Sequence, residues 1–420
     1  MDLIYLDHNA TTRPAPRVLD AMLEALRDAW GNPSSVHRFG QLARQRIELA
    51  RQSLARLIGC KERELLFTSG GTESNNLALS GVLAHDAGHP RVLITTAIEH
   101  SAVREPASAL AQGGVQLVRL PVGRDGWVDP ADLDGALAAH AVPDATVLVS
   151  LQWANNETGL ILPIHEFAAV IQRHRAASAS DPRRPRILFH TDATQAVGKL
   201  PVDAPGCGAD LLTLAAHKFH GPKGVGALYL RQGVRLRPQQ RGGPQERDRR
   251  GGTENTPGIL GMGAAAELAL AFLADPDAAP RQRALRDRLE AGLLAACPGA
   301  QVNSAGRPRL WNTTNIAFPR LEAEAILIGL SERGVCASAG AACSSGSLEP
   351  SPVLLAMGIP PELAHGSVRF SLSRDTTPAE IDAALQIVPA VISRLARTLP
   401  VGGGGATGMA DTSGGVVLSG

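Results

Sequence analysis

One short run of small residues carries a cysteine. Cys343 stands in SAGAACSSGSLEP, residues 338–350, where no neighbouring side chain is large enough to bury its sulfur. Glycine, serine and alanine in such a run predict a mobile loop, whereas structural cysteines are usually buried and inert. The pattern indicates either a reactive thiol on a loop or a lone free thiol without a role.

Primary amines are rare in this chain. Of 41 lysines and arginines only four are lysines. Lys61 lies in the charged run KERE, Lys199 in a turn and Lys223 in a Gly/Pro loop, so Lys218 least resembles a solvated surface residue. It follows the apolar segment LTLAA in LTLAAHKFHGPKGVG. We therefore expect chemistry that needs a primary amine at Lys218.

Two other motifs also follow apolar, strand-like segments. FTSGGTESNN passes from a strand into a helix, and the free N–H groups of such a junction can bind phosphate, although an ordinary helix cap fits it as well. In HTDATQ, Asp192 can cap a strand end or hold a protonated ring nitrogen. A phosphate site, such an acid and a lysine for a Schiff base together describe a pyridoxal phosphate site.

Metal binding is not predicted. The spacing of His217 and His220 in HKFH is compatible with zinc, but no acidic residue or cysteine lies near them in the sequence. The five cysteines are widely scattered, odd in number and without a CxxC pair, which favours reduced thiols over disulfides or a structural zinc site.

The surrounding segments indicate an α/β fold. An amphipathic helix is predicted from about 41 to 59, and after it short apolar runs alternate with helical segments as far as VGALYL, residues 225–230. This alternation predicts a largely parallel sheet with its ligand at the carboxyl ends of the strands. Beyond the polar stretch 237–258 we predict an alanine-rich helix, 259–274, and a second α/β unit.

These segments predict two domains and a tail. The large domain spans 15–258, and a smaller domain combines 1–14 with 259–398 and carries the cysteine loop at about 336–350. Residues 399–420 lack periodicity and are expected to form a flexible tail.

Composition narrows the partners and the compartment. A formal net charge of +1 argues against nucleic acid or an acidic membrane as the main partner. No run of about 18 apolar residues predicts a membrane span, and MDLIYLDHNATT does not read as a secretion signal. We expect a cytoplasmic protein.

Taken together, the motifs resemble the cysteine desulfurases, closest to their nitrogen-fixation (NifS) type. The resemblance covers nearly the whole chain apart from the tail and some linkers. It implies pyridoxal phosphate fold type I, in which a large domain with a mainly parallel sheet joins a smaller α/β domain. The matching segments are YLDHNATT, GNPSSVHRFG, TSGGTESNNLA, ITTAIEHSAV, WANNETG, HTDATQAVGK, AHKFHGPKGVGALYLR, RGGPQERDRRGGTEN, AACSSGSLEPS and AHGSVRFSLSR.

The resemblance implies roles around the cofactor ring. Lys218 matches the Schiff-base lysine, which also serves as the base for the Cα proton, and Asp192 matches the acid on the pyridinium nitrogen. Gln195 matches the hydrogen-bond donor to the phenolic oxygen, with Asn156 near it. His100 matches the imidazole that stacks on the ring, and the resemblance also implies a catalytic role for it in moving protons.

It also implies a phosphate site shared between two subunits. Gly71, Thr72 and His217 match phosphate ligands, and Thr253 matches one that reaches across from a second subunit, so a homodimer is expected. Many relatives have a hydroxyl two residues before His217 where this chain has Ala215. One neutral hydrogen bond contributes about 0.5–1.5 kcal/mol, so cofactor affinity is expected to be somewhat lower.

The implied substrate is L-cysteine. Arg369 matches the arginine that pairs with its carboxylate, with Asn156 near the substrate, and Cys343 matches the cysteine that takes the sulfur as a persulfide while alanine leaves. The implied partner is a sulfur acceptor or iron–sulfur scaffold protein. Three alternatives stay open: a lyase that prefers selenocysteine, an aminotransferase, and a sulfur carrier or iron–sulfur scaffold with a degenerate site.

Overall fold

The computed structural model describes residues 3–85, 88–340 and 349–398. The strands are β1 (Ile4–Tyr5), β2 (Leu65–Thr68), β3 (Arg91–Thr96), β4 (Gln116–Leu120), β5 (Thr146–Ser150), β6 (Arg186–Asp192), β7 (Leu211–Ala215), β8 (Gly226–Leu230), β9 (Gln301–Val302), β10 (Thr313–Ala317), β11 (Val335–Cys336) and β12 (Ser367–Ser371). The helices are α1 (Pro16–Asp28), α2 (Arg38–Leu57), α3 (Gly71–His85), α4 (Ser101–Gln112), α5 (Pro130–His140), α6 (Ile164–Ala177), the single turn α7 (Gln245–Asp248), α8 (Thr256–Ala274), α9 (Ala278–Ala296), α10 (Ala323–Ser331), α11 (Pro352–Ala356), α12 (Pro361–Ala364) and α13 (Pro378–Thr398).

A seven-stranded sheet forms the centre of the larger part. Its strand order is β2-β8-β7-β6-β5-β3-β4, and the pairs from β7 to β4 are parallel while β8 runs antiparallel to both of its neighbours. Alternate residues of one strand enter different apolar clusters: Val92 and Ile94 belong to one, and Leu93 to another. Both faces are therefore covered, which explains why these strands have apolar runs rather than alternation.

The smaller part is built on the three-stranded antiparallel sheet β12-β10-β9. A separate apolar cluster, which includes Phe318 and Phe370, lies between this sheet and helices α9, α10 and α13. The N-terminal segment belongs to it as well, since β1 pairs with β11 and Leu6 joins the same cluster. From there the chain forms α1 and α2 before it enters the large sheet at β2.

One helix is more apolar than the sequence led us to expect. Within the described ranges, Thr256–Ala274 is long and apolar enough to cross a membrane, with a mean hydropathy of 1.6. It packs on α1 and α2, and Ile259 and Met262 are fully buried in the apolar cluster of the larger part. At Gly263 a Cβ would lie 2.7 Å from Ala50, so this crossing needs glycine. Its apolar character is that of a core helix.

The predicted elements agree with the structure except at some ends. The helix predicted from 259 begins at Thr256, because the Asn255 side chain accepts the N–H of Gly258 at 3.1 Å and Pro257 suits the first turn. This helix packs with the larger part, although the predicted boundary at 258 assigned it to the smaller one. The two-domain division itself stays a prediction.

Candidate active site

A cavity of about 610 Å³ lies at the carboxyl ends of strands β3, β5, β6 and β7. This is the edge at which α/β proteins bind ligands. Its wall combines residues that follow those strands with residues of the N-terminal segment and the smaller part. The lining residues that matter below are Asn9, Ala10, Gly71, Thr72, Glu99, His100, Asn156, Glu157, Asp192, Thr194, Gln195, Ala215, His217, Lys218, Gly340 and Arg369.

Lys218 lies in a 3-10 turn directly after β7. Its Nζ donates to the backbone oxygens of Asn9 at 2.7 Å and of Ala10 at 2.8 Å. The turn needs glycine at position 221, where a Cβ would lie 2.8 Å from Ala216. The structure thus places the predicted amine in the cavity, against backbone carbonyls of the N-terminal segment.

Asp192 is the last residue of β6 and is 8% exposed. Its Oδ2 accepts from Nδ2 of Asn75 at 2.7 Å, and its Oδ1 accepts from the backbone N–H of Thr194 at 2.9 Å. These two bonds fix a carboxylate at the cavity wall. Asn75, in the first turns of α3, had no role in the sequence analysis; the only signal for it was an amide side chain just after a glycine-rich junction.

His100 is the N-cap of α4. Its Nδ1 accepts the backbone N–H of Ala102 at 3.1 Å, so a neutral ring carries its proton on Nε2. Burial lowers the pKa of His100, and the neighbouring Lys218 adds to this effect while Asp192 opposes it. A neutral imidazole is suited to stacking on a flat ring.

Glu99, beside His100, is another residue without a role in the sequence analysis. It is fully buried, and burial raises its pKa to about 8, an effect to which Asp192 adds. Its Oε1 accepts the backbone N–H of Gln152 at 2.9 Å and the hydroxyl of Thr96 at 3.2 Å. The residue therefore adds little negative charge to the cavity at neutral pH.

The predicted phosphate residues surround the N-terminus of α3. Gly71 and Thr72 begin this helix, and a Cβ at Gly71 would lie 3.2 Å from Oγ1 of Thr194 and 3.7 Å from the Ala215 side chain. Oγ1 of Thr194 is buried and has no hydrogen-bond partner among the described residues. An unpaired hydroxyl and a helix N-terminus beside a glycine form a cradle that an anion fits.

His217 completes this side of the cavity. Its Nδ1 lies 3.2 Å from Oγ1 of Thr11, and burial together with the charge of Lys218 lowers its pKa to about 4. A neutral imidazole can donate one hydrogen bond to a phosphate. Its neighbour His220 faces away, since its Nδ1 lies 3.1 Å from the backbone oxygen of Arg13. Across the described ranges, no group of three or more histidines, cysteines or acids could hold a metal ion.

Arg369 enters the cavity from β12 and is 1% exposed. It pairs with Oδ1 of Asp7 at 2.6 Å and donates to the backbone oxygens of Asn156 at 2.9 Å and of Gly340 at 3.1 Å. Its buried Nε has no hydrogen-bond partner in the described part of the chain. Three of the five N–H donors are thus used, which leaves Nε–H and one N–H of Nη2 for an anionic ligand.

Two predicted residues are not in this arrangement. Thr253 is exposed and does not line the cavity of its own chain. Cys343 lies outside the described residues. The described positions on either side of it do meet at the cavity: Oγ of Ser351 donates to Oε2 of Glu157 at 2.6 Å, and a Cβ at Gly340 would lie 2.8 Å from that same oxygen. Glu157 is a further residue that the sequence analysis missed.

The cavity fits pyridoxal phosphate. A lysine, a fixed carboxylate, a neutral histidine and an anion cradle line one space, and Oγ1 of Thr194 and Nε of Arg369 are buried without a hydrogen-bond partner among the described residues. Lys218, Asp192 and His100 would hold the ring, and the start of α3 would hold the phosphate. When bound, this cofactor supplies an electron sink for the Cα of an amino acid.

Residues 4–384 match the family model of class-V aminotransferases. A cysteine desulfurase of Trichormus variabilis is 48% identical over 95% of this chain and 96% of its own length. The chain belongs to the cysteine desulfurases of the class-V aminotransferase family. Azotobacter vinelandii has a relative named cysteine desulfurase NifS, 46% identical over 94% of each chain. Members of this family depend on pyridoxal phosphate.

Solved structures agree with this family. A NifS-like protein superposes with a TM-score of 0.84 at 36% identity and covers 94% of this chain and 100% of its own. A structure titled SspA in complex with cysteine has a TM-score of 0.75 at 31% identity, over 89% of this chain and 99% of that one. The predicted fold type I, with its mostly parallel sheet, is confirmed.

Proposed function

We propose that this desulfurase takes sulfur from L-cysteine, releases L-alanine and holds the sulfur as a persulfide on Cys343. The observation that carries the proposal is the meeting of Lys218, Asp192, His100 and Arg369 in one cavity whose rim includes Gly340, three residues before Cys343. The similar structure titled SspA in complex with cysteine supports the same substrate class.

Arg369 binds the substrate carboxylate. A guanidinium suits a carboxylate because its N–H groups can bind both oxygens. Asp7 and the carbonyls of Asn156 and Gly340 already orient this group, so little conformational entropy is lost when the substrate binds. The reacting carbon is then held near Lys218.

Lys218 takes the proton from the substrate Cα. Its Nζ rests on two backbone oxygens of the N-terminal segment, which keep the amine in the cavity before and after it reacts. With the cofactor bound, Asp192, fixed by Asn75 and Thr194, would favour a positive charge on the ring nitrogen. His100 would stack on the ring.

Chain length alone limits the distance between Cys343 and the cavity. Three residues of extended chain span about 10 Å, so Cys343 lies within that distance of Gly340 at the cavity rim. The described cysteines are unsuited to the task, because burial raises the pKa of Cys60 to about 12 and of Cys207 to about 11. The pKa of Cys297 and of Cys336 is also raised by burial.

The sulfur step needs no external oxidant. The Cys343 thiolate attacks the substrate sulfur, an S–S bond forms, and the C–S bond breaks with its electron pair staying on carbon. Protonation of that carbon completes alanine. The net change converts cysteine and a thiol into alanine and a persulfide.

The experiment measures alanine and sulfide from L-cysteine with added reductant. Wild type should give equal amounts of both, and Cys343→Ala should give neither, while Cys336→Ala is the matched control and should behave as wild type. Continued formation of alanine and sulfide by Cys343→Ala would contradict the proposal and favour a lyase. A comparison of selenocysteine with cysteine as substrate would then test whether that lyase prefers selenium. Transfer of an amino group to a keto acid would favour an aminotransferase.

We also propose that the enzyme is a homodimer in which Thr253 completes the partner's phosphate site. Thr253 is exposed and outside its own cavity. Helix α1 and the loop after it expose large apolar side chains as well: Leu23 is 61%, Leu26 60% and Trp30 65% exposed, and the Trp30 ring stacks on Phe39. A surface of this kind is typical of protein interfaces.

Mixed dimers test this arrangement. Lys218→Ala and Thr253→Asp chains should each be inactive alone, the second because its carboxylate repels phosphate. If Thr253 serves the partner's site, a dimer of one chain of each kind contains one intact site, and mixing should restore activity. If mixing restores nothing while mixed dimers form, Thr253 does not act in the partner's site.

The proposed acceptor is a cytoplasmic protein of iron–sulfur cluster assembly. The proposed reaction leaves the sulfur on the enzyme as a persulfide. Transfer to a thiol or scaffold of another protein must remove it before the next turnover. The resemblance to the nitrogen-fixation type supports nitrogenase maturation as the pathway. Transfer of ³⁵S from labelled cysteine to purified scaffold proteins tests this, and a housekeeping scaffold labelled in preference to a nitrogenase one would contradict it.

A further inference from the structure

A second lysine is buried behind the cavity wall. Lys199 is 5% exposed, whereas Lys218 is only half-buried. Its Nζ donates to Oε1 of Gln195 at 2.5 Å and to Oδ1 of Asn9 at 3.0 Å. Both partners are uncharged amides. Burying an amine without a carboxylate costs free energy, so its position needs an explanation beyond packing.

The contact fixes which way the Gln195 amide points. A lysine side chain donates, so the Gln195 atom that faces Nζ is the carbonyl oxygen. The amide nitrogen then faces Asn9 and donates one hydrogen to its backbone oxygen at 2.9 Å. Gln195 lines the cavity, and its second N–H is left for a ligand there.

Asn9 links this lysine to the reactive one. Its backbone oxygen accepts from Nζ of Lys218 as well as from Gln195, and its side-chain oxygen accepts from Lys199 and from Asn312. Residue 9 therefore holds both amines and the amide in one hydrogen-bonded group. The group formed by Asn9, Gln195, Lys199 and Lys218 is called the Asn9 network below.

The charges around Lys199 are positive. Burial lowers its pKa well below the usual value, and the charges of Lys218 and Arg369 lower it further. The nearby histidines, at positions 8, 217 and 220, have pKa values lowered to about 4 and are neutral at pH 7. Lys199 is therefore not expected to stabilise the fold, and its effect on the orientation of neighbouring side chains explains its position better.

We propose that Lys199 is a positioning residue of the cofactor site, which holds the Gln195 amide with an N–H toward the phenolic oxygen of pyridoxal phosphate. The inference rests on the proposed function, since the family resemblance assigns that contact to Gln195. An N–H donor stabilises the oxygen when it is negatively charged. If the Gln195 amide loses this orientation, the negatively charged form is stabilised less, and the pKa of the bound cofactor rises.

The test uses the visible absorption band of the cofactor bound to the full chain, titrated with pH. For Lys199→Met we expect the midpoint to rise by about one pH unit and the cofactor dissociation constant to rise about five- to tenfold. Lys61→Met removes an exposed lysine and should change neither. An unchanged midpoint in Lys199→Met would overturn the inference.

A double-mutant cycle shows whether the effect passes through Gln195. In a Gln195→Leu background, Lys199→Met should move the midpoint by less than half as much as it does in wild type. A shift reduced by less than half would mean that Lys199 does not act by orienting this amide. A purely structural lysine would lower the unfolding midpoint and leave the cofactor titration unchanged, which also contradicts the proposal.

A measurement on the native lysine guards against a variant that does not fold. The chain contains four lysines, so ¹³Cε-lysine labelling gives four NMR signals; Lys61→Met, Lys218→Met and Lys223→Met assign three of them, and the fourth belongs to Lys199. Adding pyridoxal phosphate to the apo wild type should shift the Lys199 signal, and should not in Gln195→Leu. If the chemical shift of Lys199 does not change when the cofactor is added, this inference is overturned. If wild type does not bind the cofactor at all, the proposed function is overturned instead.

Discussion

The two sides of the cavity are built from different kinds of sequence. On the sheet side, Asp192 is the last residue of β6, and His100 and Lys218 follow β3 and β7 by four and three residues. On the opposite side, Asn9 and Arg369 come from the ends of the chain, and Asn9 contacts Lys199 across 190 positions of sequence. The sheet side carries the reactive groups, and the other side orients them.

This contrast predicts a ranking of effects. A reactive group on the sheet side has no substitute, because its bond to the cofactor or its charge takes part in the reaction itself. Asn9 and Lys199 act through other side chains, so removal of either leaves the chemistry possible and makes it slower. Substitutions on the two sides should therefore differ by orders of magnitude at similar burial.

The largest effect is expected for Lys218→Ala. The variant lacks both the amine that binds the cofactor and the base for the Cα proton, so turnover of L-cysteine should fall by at least about a thousandfold. The visible band of the bound cofactor should vanish as well. The matched control is Lys223→Ala, which changes an exposed lysine five residues away and should retain both signals. Residual wild-type absorbance in Lys218→Ala would show that another amine holds the cofactor.

A smaller loss is expected for Asp192→Asn. The substitution keeps the shape of the side chain but removes the charge that holds a proton on the ring nitrogen, so turnover should fall by about a hundredfold. Asn75→Ala removes only the 2.7 Å bond that orients Asp192, and about tenfold is expected there. Steady-state rates rank the two, and an Asn75→Ala enzyme slower than Asp192→Asn would reverse the proposed order of importance.

The same contrast sets what the sequence could predict. The alternation of apolar runs predicted the parallel sheet, and polar residues at the ends of those runs predicted the cavity residues beside it. Lys199 was interpreted as a turn residue, which it is, but the turn is buried. Its burial depends on Asn9 and on the smaller part of the molecule, and no local pattern reports contacts that span so much of the chain.

Asn75 and Glu157 were missed for related reasons. Asn75 lies on a predicted helix, and the sequence of that helix does not indicate that the amide contacts Asp192 at the end of β6. Glu157 lies in WANNETG, a segment that the family resemblance includes, but only the structure shows it beside Gly340 and Ser351. The helix start at Thr256 could have been predicted, since Asn255 and Pro257 form a recognisable cap.

Acid should destabilise the side of the cavity that includes the N-terminal segment. Burial lowers the pKa of His8 to about 4, so between pH 6.5 and 4 the unfolded chain binds a proton that the folded chain does not. Its contribution is present above pH 6.5 and is lost as the pH falls, by about 1–2 kcal/mol at pH 5. Urea unfolding of the apo protein at pH 7 and pH 5 measures this loss together with those of His217 and His220, whose pKa values are also lowered to about 4.

His8→Phe isolates this contribution. The ring of His8 packs edge-on against Tyr5 and hydrogen-bonds the Tyr5 backbone, so phenylalanine keeps the ring contact and removes the titrating group together with that one hydrogen bond. The pH dependence of the free energy of unfolding should flatten by the amount given above, whereas His89→Phe at the exposed surface should leave it unchanged. An unaltered pH slope in His8→Phe would show that this histidine does not titrate on unfolding.

The smallest effect is expected where this chain departs from many relatives. Ala215 lines the cavity, and its side chain lies 3.7 Å from the Cβ position of Gly71 at the start of α3. In Ala215→Ser the added hydroxyl should bond the phosphate and tighten cofactor binding about two- to tenfold, the equivalent of one neutral hydrogen bond. Turnover at saturating cofactor should not change, because the phosphate takes no part in the reaction. Ala154→Ser, elsewhere on the same cavity wall, is the control; equal affinities for all three proteins would mean that the phosphate lies out of reach of position 215.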